Sequence, residues 1–561
     1  MPAHSARGLI LRVGGGRPCL PEAVLASQMD DQQRLRGKRC IDLCSRSDSQ
    51  PIYQYPMLFH SYAFVLVFLP LSLLIYHGLR AAGLQRTSIL ALTLLSLFFY
   101  GWWNPVYLLL LVPLVLINFA IATRIVPRDA HHAAGSRTLL TLGIVMNVGV
   151  LGYFKYANFF VDNVNTLLGA DLFLAQILLP LGISFFTFQK IAFLVDAYRG
   201  KVERLDLLDF SLFVSFFPQL IAGPIVHHRE LLPQFREKAG IQDVMMGITF
   251  FAFGLVKKVL LADSAAAYAT PQFDAVAAGV TLDLLGAWSA TLAYTAQLYF
   301  DFSGYSDMAI GAALMFGIRL PVNFASPYKA TSIIDFWQRW HITLSRFLRD
   351  YVYIPLGGNR RGVPRRYANL ILTMILGGFW HGAAWSFVIW GGLHGSYLAL
   401  NHAWRALRPW ILRSPAGGLE VRLGQAITFV SVVVGWVFFR AADASCAMQM
   451  LSSMAGNNGI AAPASLHALL PGFPLAHTGI DSGAALAISL AMLLIAWLAP
   501  NTQQMMNYSG PLAVQVAGRA SGSVSWLFWR PIPRMAVLTG CLLGIAIMSL
   551  SKVSEFLYFQ F

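Results

Sequence analysis

The stretch Leu-Gly-Gly-Phe-Trp-His-Gly-Ala-Ala-Trp, residues 376–385, places the ionisable side chain of His381 inside one of the most apolar parts of the chain. The sequence on either side is long enough to lie within a lipid bilayer. An ionisable group at that depth is costly in free energy, and such groups are retained mainly where they have a function. This stretch therefore predicts a membrane fold and, at His381, a functional site.

The composition of the whole chain agrees with a membrane fold. Of its 561 residues, 57% are hydrophobic and 12% are charged, whereas a soluble protein has about 25% charged residues. Apolar runs of roughly twenty residues recur along the chain, and each is enough to cross about 30 Å of hydrocarbon. We therefore predict an all-α, polytopic membrane protein with roughly twelve hydrophobic helices and additional re-entrant or interfacial helices.

One of the predicted apolar segments is interrupted. Between residues 209 and 226 the sequence contains Pro218, Gly223 and Pro224. A broken helix is tolerated at membrane depth only where protein or a water-filled cavity surrounds it. The predicted segments lie near residues 63–78, 89–103, 106–122, 139–156, 172–195, 209–226, 244–262, 283–300, 305–319, 367–378, 382–403, 425–439, 483–499 and 534–550.

The segment that contains His381 is predicted to enter the membrane and return. Residues 367–404 have arginines at both ends, and basic residues favour the cytoplasmic face. This length fits two short helices joined by a bend, near Gly377-Gly378 or near Gly391-Gly392. Either bend buries His381 inside the protein.

The net charge of +15 also fits a membrane protein. Lysine and arginine gather in cytoplasmic loops and beside anionic lipid headgroups. The basic residues do not form a patch on an obviously soluble domain, so we do not expect nucleic acid as a partner. The five cysteines are too few and too scattered for a disulfide framework, and no spacing of cysteines or histidines predicts a metal site.

Residues 1–56 differ from the rest of the chain. They are polar, rich in arginine and without the apolar core of a secretory signal. The pattern of basic loops places the start of the first helix outside the cytoplasm, and four basic residues between positions 34 and 39 make this segment a poor candidate for export. We expect the mature protein to begin at Met57, with residues 1–56 disordered or produced by a misassigned start, and residues 57–561 to form the transmembrane domain.

A second histidine, His341, lies in Asp-Phe-Trp-Gln-Arg-Trp-His-Ile-Thr-Leu-Ser, residues 335–345. The surrounding residues 322–366 are too charged to cross a membrane, and their aromatic residues suit an interfacial or re-entrant helix at the cytoplasmic face. A continuous helix would place Trp337, His341 and Ser345 on one face. Two interpretations of His341 stay open: a second catalytic or substrate-orienting group, or an interfacial histidine.

Two carboxylates, Asp301 and Asp307, lie between apolar segments. A buried carboxylate needs a partner of opposite charge or hydrogen-bond donors, and Arg339 and Arg346 are candidates. For both aspartates, a structural ion pair or polar network is favoured over catalysis.

The remaining histidines have weaker signals than His381. His394, which lies among glycines, is predicted to be a packing residue, and His227-His228 is predicted to be a surface loop rather than a metal site. A neutral imidazole in a dry site, such as that of His381, can take a proton from a hydroxyl group and return it. The alternative for His381 is a buried histidine that is hydrogen-bonded to a helix carbonyl.

Six segments of the chain carry long motifs. They are PLGISFFTFQ (180–189), LVDAYRG (194–200), FPQLIAGP (217–224), YFDFSGYSD (299–307), FWQRWHITLS (336–345) and GFWHG (378–382). In this order they closely resemble the membrane-bound O-acyltransferase (MBOAT) family. The resemblance is to its bacterial branch that acetylates exopolysaccharides, typified by the alginate O-acetyltransferase membrane subunit, and it runs from Met57 to Phe561.

The resemblance implies an O-acyltransferase. The family's essential histidine falls on His381, and its second motif histidine falls on His341. The implied donor is acetyl-CoA, as a substrate from the cytoplasm rather than a bound cofactor, and the implied acceptors are hydroxyls of an exported polysaccharide such as alginate or cellulose. We expect Arg339, Arg346 and Arg349 to attract the phosphates of the donor.

The resemblance also implies a location and partners. We expect a multi-pass protein of the bacterial inner membrane that works with a periplasmic, SGNH-hydrolase-like acetyltransferase and a polysaccharide synthesis complex. Two alternatives stay open. One is a proton-coupled permease or flippase that uses its buried histidines and aspartates, and the other is an acyltransferase that acts on peptidoglycan, a protein or a lipid.

Overall fold

Helices form all the regular structure in the described part of the chain. The computed structural model describes residues 57–126, 134–202, 206–411, 417–461, 481–511 and 528–550. No strand occurs in these ranges, so the predicted all-α class is confirmed. The predicted leader, residues 1–56, and the last residues of the predicted transmembrane domain, 551–561, lie outside them.

The helices of the first half include two long pairs that π-helical turns join end to end. The turn Gly152–Tyr156 joins α4 to α5, and the turn Lys257–Ala262 joins α10 to α11. The helices are α1 (Leu69–Ala81), α2 (Gln85–Gly101), α3 (Leu108–Ile125), α4 (Ala134–Leu151), α5 (Ala157–Leu168), α6 (Ile183–Tyr198), α7 (Leu207–Ser215), α8 (Phe217–Leu220), α9 (His228–Leu231), α10 (Ile241–Val256) and α11 (Asp263–Ala277).

The second half begins with the longest helix of the described residues and continues with short interfacial helices and long pairs. The helices are α12 (Leu284–Met315), α13 (Ile333–Arg339), α14 (Ile342–Leu348), α15 (Val363–His381), α16 (Trp385–Ile411), α17 (Gly418–Arg440), α18 (Ala444–Met454), α19 (Ser482–Leu498), α20 (Thr502–Met506) and α21 (Pro533–Met548).

Six helical stretches in the described ranges are long and apolar enough to cross a membrane. Helix α21 is apolar but shorter. The predicted multi-pass membrane fold is therefore confirmed, but the predicted number of roughly twelve hydrophobic helices is not. The six stretches are Ala63–Ala81, Pro105–Ile125, Ser136–Leu168, Ile241–Ala277, Gly418–Arg440 and Ser482–Met506.

Helix α12 corrects the prediction of two spans, 283–300 and 305–319. The chain forms one uninterrupted helix of 32 residues, although Gly304 lies in its middle. A Cβ atom at Gly304 would lie 2.8 Å from the carbonyl oxygen of Gly254 on α10. The glycine is therefore needed for close approach of two helices, and it does not end the helix.

The turn between α15 and α16 also differs from the prediction. The two predicted helices are present, but the turn between them lies after His381 and not at either glycine pair, because α15 continues to His381 and α16 begins at Trp385. Glycines at these positions serve helix packing instead. A Cβ atom at Gly378 would collide with the carbonyl oxygen of Phe387 on the facing helix.

The predicted broken helix at residues 209–226 is confirmed. Helix α7 ends at Ser215, the single turn α8 follows, and the chain is irregular up to α9. This irregular backbone is buried, with Leu220 and Ala222 fully inaccessible, as a membrane environment requires. By contrast, the prediction of a helix over 172–195 is wrong in its first part, because no helix precedes Ile183 there.

Basic side chains from several loops meet at one end of the helices, which we name the basic end. Arg86 binds Asp206 with an N–O distance of 2.8 Å, and Arg319 binds Asp243 at 3.0 Å. The first contact joins the start of α2 to the residue before α7, and the second joins the segment after α12 to the first turn of α10. The opposite end contains the turn between α15 and α16, where Trp385 Nε1 donates to Asn163 Oδ1 at 2.9 Å.

Candidate active site

His381 is the last residue of α15 and lies in an aromatic cage. His381 is only 7% exposed, so the predicted burial is confirmed. The imidazole centroid lies 4.9 Å from the ring of Trp380, 5.2 Å from Trp390 and 5.1 Å from Phe439. No described residue forms a hydrogen bond with the imidazole, so its nitrogens are left for a ligand.

His341 lies at a break between α13 and α14. Its backbone is left-handed, with φ 42° and ψ 53°, a conformation that is uncommon for a residue other than glycine. The break separates Trp337 from Ser345, so the predicted single helix face with His341 at its centre is wrong. The break instead buries His341 completely.

Asn323 fixes the protonation of His341. The Oδ1 atom of Asn323 accepts hydrogen bonds from the backbone N–H and the hydroxyl of Thr343, at 3.2 and 2.9 Å. Because Oδ1 only accepts, the Nδ1 atom of His341, 3.1 Å away, must donate to it. A neutral His341 then carries its lone pair on Nε2, and Nε2 has no hydrogen-bond partner among the described residues.

The two histidines lie on either side of Trp380. The indole centroid of Trp380 is 6.3 Å from the ring of His341 and 4.9 Å from the ring of His381, and the two imidazoles interact electrostatically. The structure therefore brings together the two histidines that the sequence predicted. His394 lies next to this pair, but its Nδ1 atom accepts a hydrogen bond of 3.3 Å from Trp337 Nε1.

A cavity of about 830 Å³ lies between α13, α14, α15 and α16. It adjoins the basic end. Arg346 in its lining binds Glu230, and Arg236, six residues after Glu230, accepts a hydrogen bond from Gln85 at the start of α2. Ile342, next to His341, also lines it. All three predicted phosphate-binding arginines lie in the lining, which includes Trp337, Arg339, Ser345, Arg346, Arg349, Tyr353, Arg366, Thr373 and His402.

Each of the three predicted arginines has a carboxylate partner. The shortest N–O distances are 2.7 Å for Arg339 with Asp335 and 2.5 Å for Arg346 with Glu230. Arg349 pairs with its neighbour in sequence, Asp350, and this hydrogen bond raises the pKa of its guanidinium group. Arg366 differs from these three, since no carboxylate of the described residues pairs with it.

A smaller pocket of about 260 Å³ lies at the opposite end. It begins two residues beyond His381, at Ala383, and its lining combines aromatic, hydroxyl, amide and carboxylate groups. Neither histidine lines the large cavity or the small pocket, but Ile342, next to His341, lines the first, and Ala383, two residues after His381, lines the second. The pocket is lined by Phe159, Asp162, Asn163, Thr166, Ala383, Ala384, Trp385, Ser386, Ala442, Asp443 and Ala444.

The two predicted carboxylates, Asp301 and Asp307, lie outside this site. Lys258 binds Asp301 at 2.9 Å, and Lys257 binds Asp307 at 2.6 Å. The suggested partners Arg339 and Arg346 are therefore wrong, because those arginines pair with other carboxylates. The favoured interpretation, a structural ion pair, agrees with these contacts.

The His227-His228 pair corrects the prediction of a plain surface loop. His228 is only 5% exposed. The hydroxyl of Tyr351 donates to Asp196 Oδ2 at 2.9 Å and lies 3.1 Å from His227 Nδ1, and Lys201 lies 3.4 Å from the same carboxylate. Burial lowers the pKa of both histidines. The loop is part of a buried polar cluster.

Several residues around the site had no signal in the sequence. Asn323, which orients His341, lies in a segment without regular periodicity, and Glu230 is 116 positions from Arg346. Lys155 donates to the backbone carbonyls of Trp380 and His381 at 2.6 and 2.7 Å. These contacts join distant parts of the chain, and no local pattern of residues encodes them.

Comparison with known proteins covers both histidines of this site. The family model of the membrane-bound O-acyltransferases matches residues 133–432, which include both histidines. The probable alginate O-acetylase AlgI of Pseudomonas putida is 40% identical over 511 residues, 90% of this chain and 100% of the relative. The peptidoglycan O-acetyltransferase of Helicobacter pylori is 44% identical over 437 residues, 72% of this chain and 81% of the relative. The probable AlgI of Pseudomonas aeruginosa is 45% identical over 410 residues, 71% and 75% of the two chains.

Proposed function

The chain belongs to the membrane-bound O-acyltransferase family and is an O-acyltransferase, and we propose that it moves an acetyl group from cytoplasmic acetyl-CoA to hydroxyls of an exported polysaccharide such as alginate or cellulose. The observation that supports this most is the position of His341 and His381. Both are buried and adjacent to Trp380, and residues next to them line a cavity and a pocket near opposite ends of the helices. A transferase that works across a membrane needs such an arrangement.

We assign the large cavity to the donor. Basic residues favour the cytoplasmic face, so the basic end, and with it the large cavity, faces the compartment that contains acetyl-CoA. Arg366 is available for a phosphate because no described carboxylate pairs with it. Arg339, Arg346 and Arg349 add to the positive potential, although each shares its charge with a carboxylate.

The proposed reaction uses His381 as the general base. The hydroxyl oxygen of the acceptor attacks the thioester carbonyl carbon, and the imidazole of His381 takes the hydroxyl proton. When the carbon–sulfur bond breaks, the thiolate of coenzyme A leaves and accepts that proton. His341 orients the donor, and its unpaired Nε2 atom lies next to Trp380 and His381.

The small pocket is the proposed entry for the acceptor. It begins at Ala383, directly after the turn that carries His381, and Trp385 with Phe159 supplies apolar ring surface. We propose that this end faces the periplasm across the inner membrane. An SGNH-hydrolase-like acetyltransferase and a polysaccharide synthesis complex are the proposed partners there, and transfer to the polymer is either direct or relayed through that protein.

The charge of the small pocket favours an uncharged acceptor, such as cellulose or the sugar chain of peptidoglycan, over alginate. Its lining contains Asp162 and Asp443 and no lysine or arginine. Carboxylates at close range repel the polyuronate chain of alginate, so the pocket is better suited to an uncharged sugar hydroxyl. The H. pylori relative, described as a peptidoglycan O-acetyltransferase, is consistent with this alternative.

A labelling experiment with purified protein tests the donor. Wild-type protein and the His381→Ala variant in detergent are incubated with radiolabelled acetyl-CoA and either cello-oligosaccharide, oligoalginate or peptidoglycan fragments. We expect wild type to hydrolyse or transfer the label and His381→Ala to do neither. Equal rates for the two proteins would contradict the role of His381.

A deletion strain tests the acceptor in the cell. The acetate content of cell-wall and exported polymers is measured in the deletion strain, and after complementation with wild type or His381→Ala. We expect one polymer to lose acetate on deletion and to regain it with wild type only. If every polymer keeps its acetate in the deletion strain, a polymer acceptor is excluded.

A further inference from the structure

The segment Gly-Tyr-Phe-Lys-Tyr, residues 152–156, crosses the end of the helix that carries His381. Lys155 Nζ donates to the carbonyl oxygens of Trp380 and His381 at 2.6 and 2.7 Å. The hydroxyl of Tyr156 donates to the carbonyl oxygen of Phe379 at 2.9 Å. Two neighbouring side chains thus satisfy three consecutive carbonyls of one helical turn.

These carbonyls are the ones that a helix leaves unsatisfied. The last four carbonyl groups of an α-helix have no partner within the helix, and α15 ends at His381 with Gly382 in an extended conformation. Inside a membrane protein no water is at hand to bond them, and a buried carbonyl without a partner costs about 1–3 kcal/mol. A cation at this end also interacts favourably with the helix dipole.

The local backbone explains how two adjacent residues reach the same turn. Residues Gly152–Tyr156 form a π-helical turn between α4 and α5, and such turns displace side chains from the ordinary α-helical positions. The ring of Tyr156 stacks on Phe379 with centroids 4.2 Å apart.

The same helix continues along the turn after His381. The ring of Phe159 lies 5.9 Å from Phe379 and 6.0 Å from Trp385, and Asn163 accepts the hydrogen bond of Trp385. One helix therefore contacts both sides of the turn that holds His381.

We propose that Lys155 and Tyr156 are positioning residues for His381. The proposal rests on the proposed function, in which His381 is the general base. The imidazole has no hydrogen bond to any described residue, so its orientation depends on its aromatic cage and on the backbone of residues 379–381. Lys155 and Tyr156 fix that backbone by its carbonyls.

Replacement of Lys155 by methionine tests the proposal. Methionine keeps an unbranched apolar stem and removes the donor, and a displacement of about 1 Å at a reacting group can lower the rate about 100-fold. We expect kcat of Lys155→Met to fall about 10–100-fold with KM for acetyl-CoA within about twofold of wild type. Lys155→Arg, which still donates, should recover most of the activity.

Lys190→Met is the matched control for loss of a buried lysine. Lys190 is fully buried on α6, and its Nζ atom has no hydrogen-bond partner among the described residues. Its replacement should leave kcat unchanged. An equal loss of kcat in Lys190→Met and Lys155→Met would overturn the proposal, as would unchanged kcat in folded Lys155→Met.

Tyr156→Phe decides the matter if Lys155→Met does not fold. This variant keeps the ring on Phe379 and removes only the hydroxyl, so a lower kcat supports the proposal and an unchanged kcat contradicts it. Amide hydrogen exchange of residues 377–386 gives a readout that does not depend on the reaction. Faster exchange there is expected in both variants. If wild type is inactive while exchange responds as expected, the proposed function fails and the positioning contacts do not.

Discussion

Two of the buried clusters of ionisable groups among the described residues differ in how their atoms are satisfied. In one, Lys257 and Lys258 pair with aspartates, and Asp307 accepts three hydrogen bonds or ionic contacts. In the other, His341 keeps an unpaired Nε2 and the imidazole of His381 has no hydrogen bond within the described residues. The satisfied groups of the first cluster hold helices together, whereas in the proposed function the unpaired nitrogens of the two histidines are open to a substrate.

The ionic cluster ties several helices to α12. Asp307 contacts Lys257 at 2.6 Å and is bonded by Thr502 and Gln503 of α20 at 2.7 and 2.8 Å. Lys258 lies 2.9 Å from both Asp263 and Asp301. Such a cluster is costly to disturb, because removal of one partner leaves a buried charge.

The largest expected effect is that of His381→Ala. Loss of a general base lowers a rate about 10²–10⁴-fold, and we expect kcat to fall by this factor. The melting temperature should stay close to that of wild type, because the imidazole forms no hydrogen bond with the described residues. Acetyl transfer and thermal unfolding of the purified protein are the measurements. If His381→Ala instead loses much of its stability while each folded molecule keeps normal activity, the histidines have a structural role like that of the ionic cluster.

Asp307→Asn should lower the stability of the protein and leave its kcat unchanged, the reverse of His381→Ala. Breaking a buried ion pair on one side typically costs about 3–5 kcal/mol of stability, so we expect a lower yield of folded protein and a lower melting temperature. The kcat of the folded fraction should stay unchanged. A double variant that adds Lys257→Met to Asp307→Asn removes the unpaired charge and should restore part of the stability. The restored part measures the cost of the buried charge, and the remainder measures the lost packing.

His394 offers a smaller and sharper test, since it is a histidine of equal burial next to the pair. Its Nδ1 atom is occupied by Trp337, and a net hydrogen bond contributes about 0.5–1.5 kcal/mol. His394→Asn should therefore lose about that much stability and keep kcat within about threefold of wild type. If this variant is as inactive as His381→Ala, His394 acts together with the two histidines of the site and is not a packing residue.

The sequence predicted the properties that depend on local composition. The apolar flanks of His381 predicted its burial, and Pro218, Gly223 and Pro224 predicted a buried break between α7 and α9. The motifs that resemble the family predicted both histidines of the site. In each case a few neighbouring residues carry the physical cause, either the cost of burying polar groups or the limits on backbone dihedral angles.

The sequence could not predict contacts between distant segments. Gly304 suggests a break, yet it permits close packing on Gly254. The side chain of His341 is oriented by Asn323, which is 18 positions away, and Lys155 reaches α15 across 226 positions. Which partner a buried group finds depends on how the helices assemble, and local periodicity does not contain that information.

The smallest effect is expected for the exposed ion pair of Arg86 and Asp206. This pair tests whether the ionic cluster stabilises the protein because it is buried or only because its charges are paired. The hydrogen bond from Arg86 lowers the pKa of Asp206. Both side chains are more than a third exposed. Because the folded pKa is depressed, the pair stabilises the protein above the ordinary carboxyl pKa of about 4, and this contribution is lost as the pH falls through the folded pKa. Arg86→Ala should therefore differ only slightly from wild type in melting temperature at pH 7, and not at all in acid or at high salt, where exposed charges are screened. A loss at pH 7 as large as that of Asp307→Asn would mean that pairing alone, without burial, accounts for the stability of both.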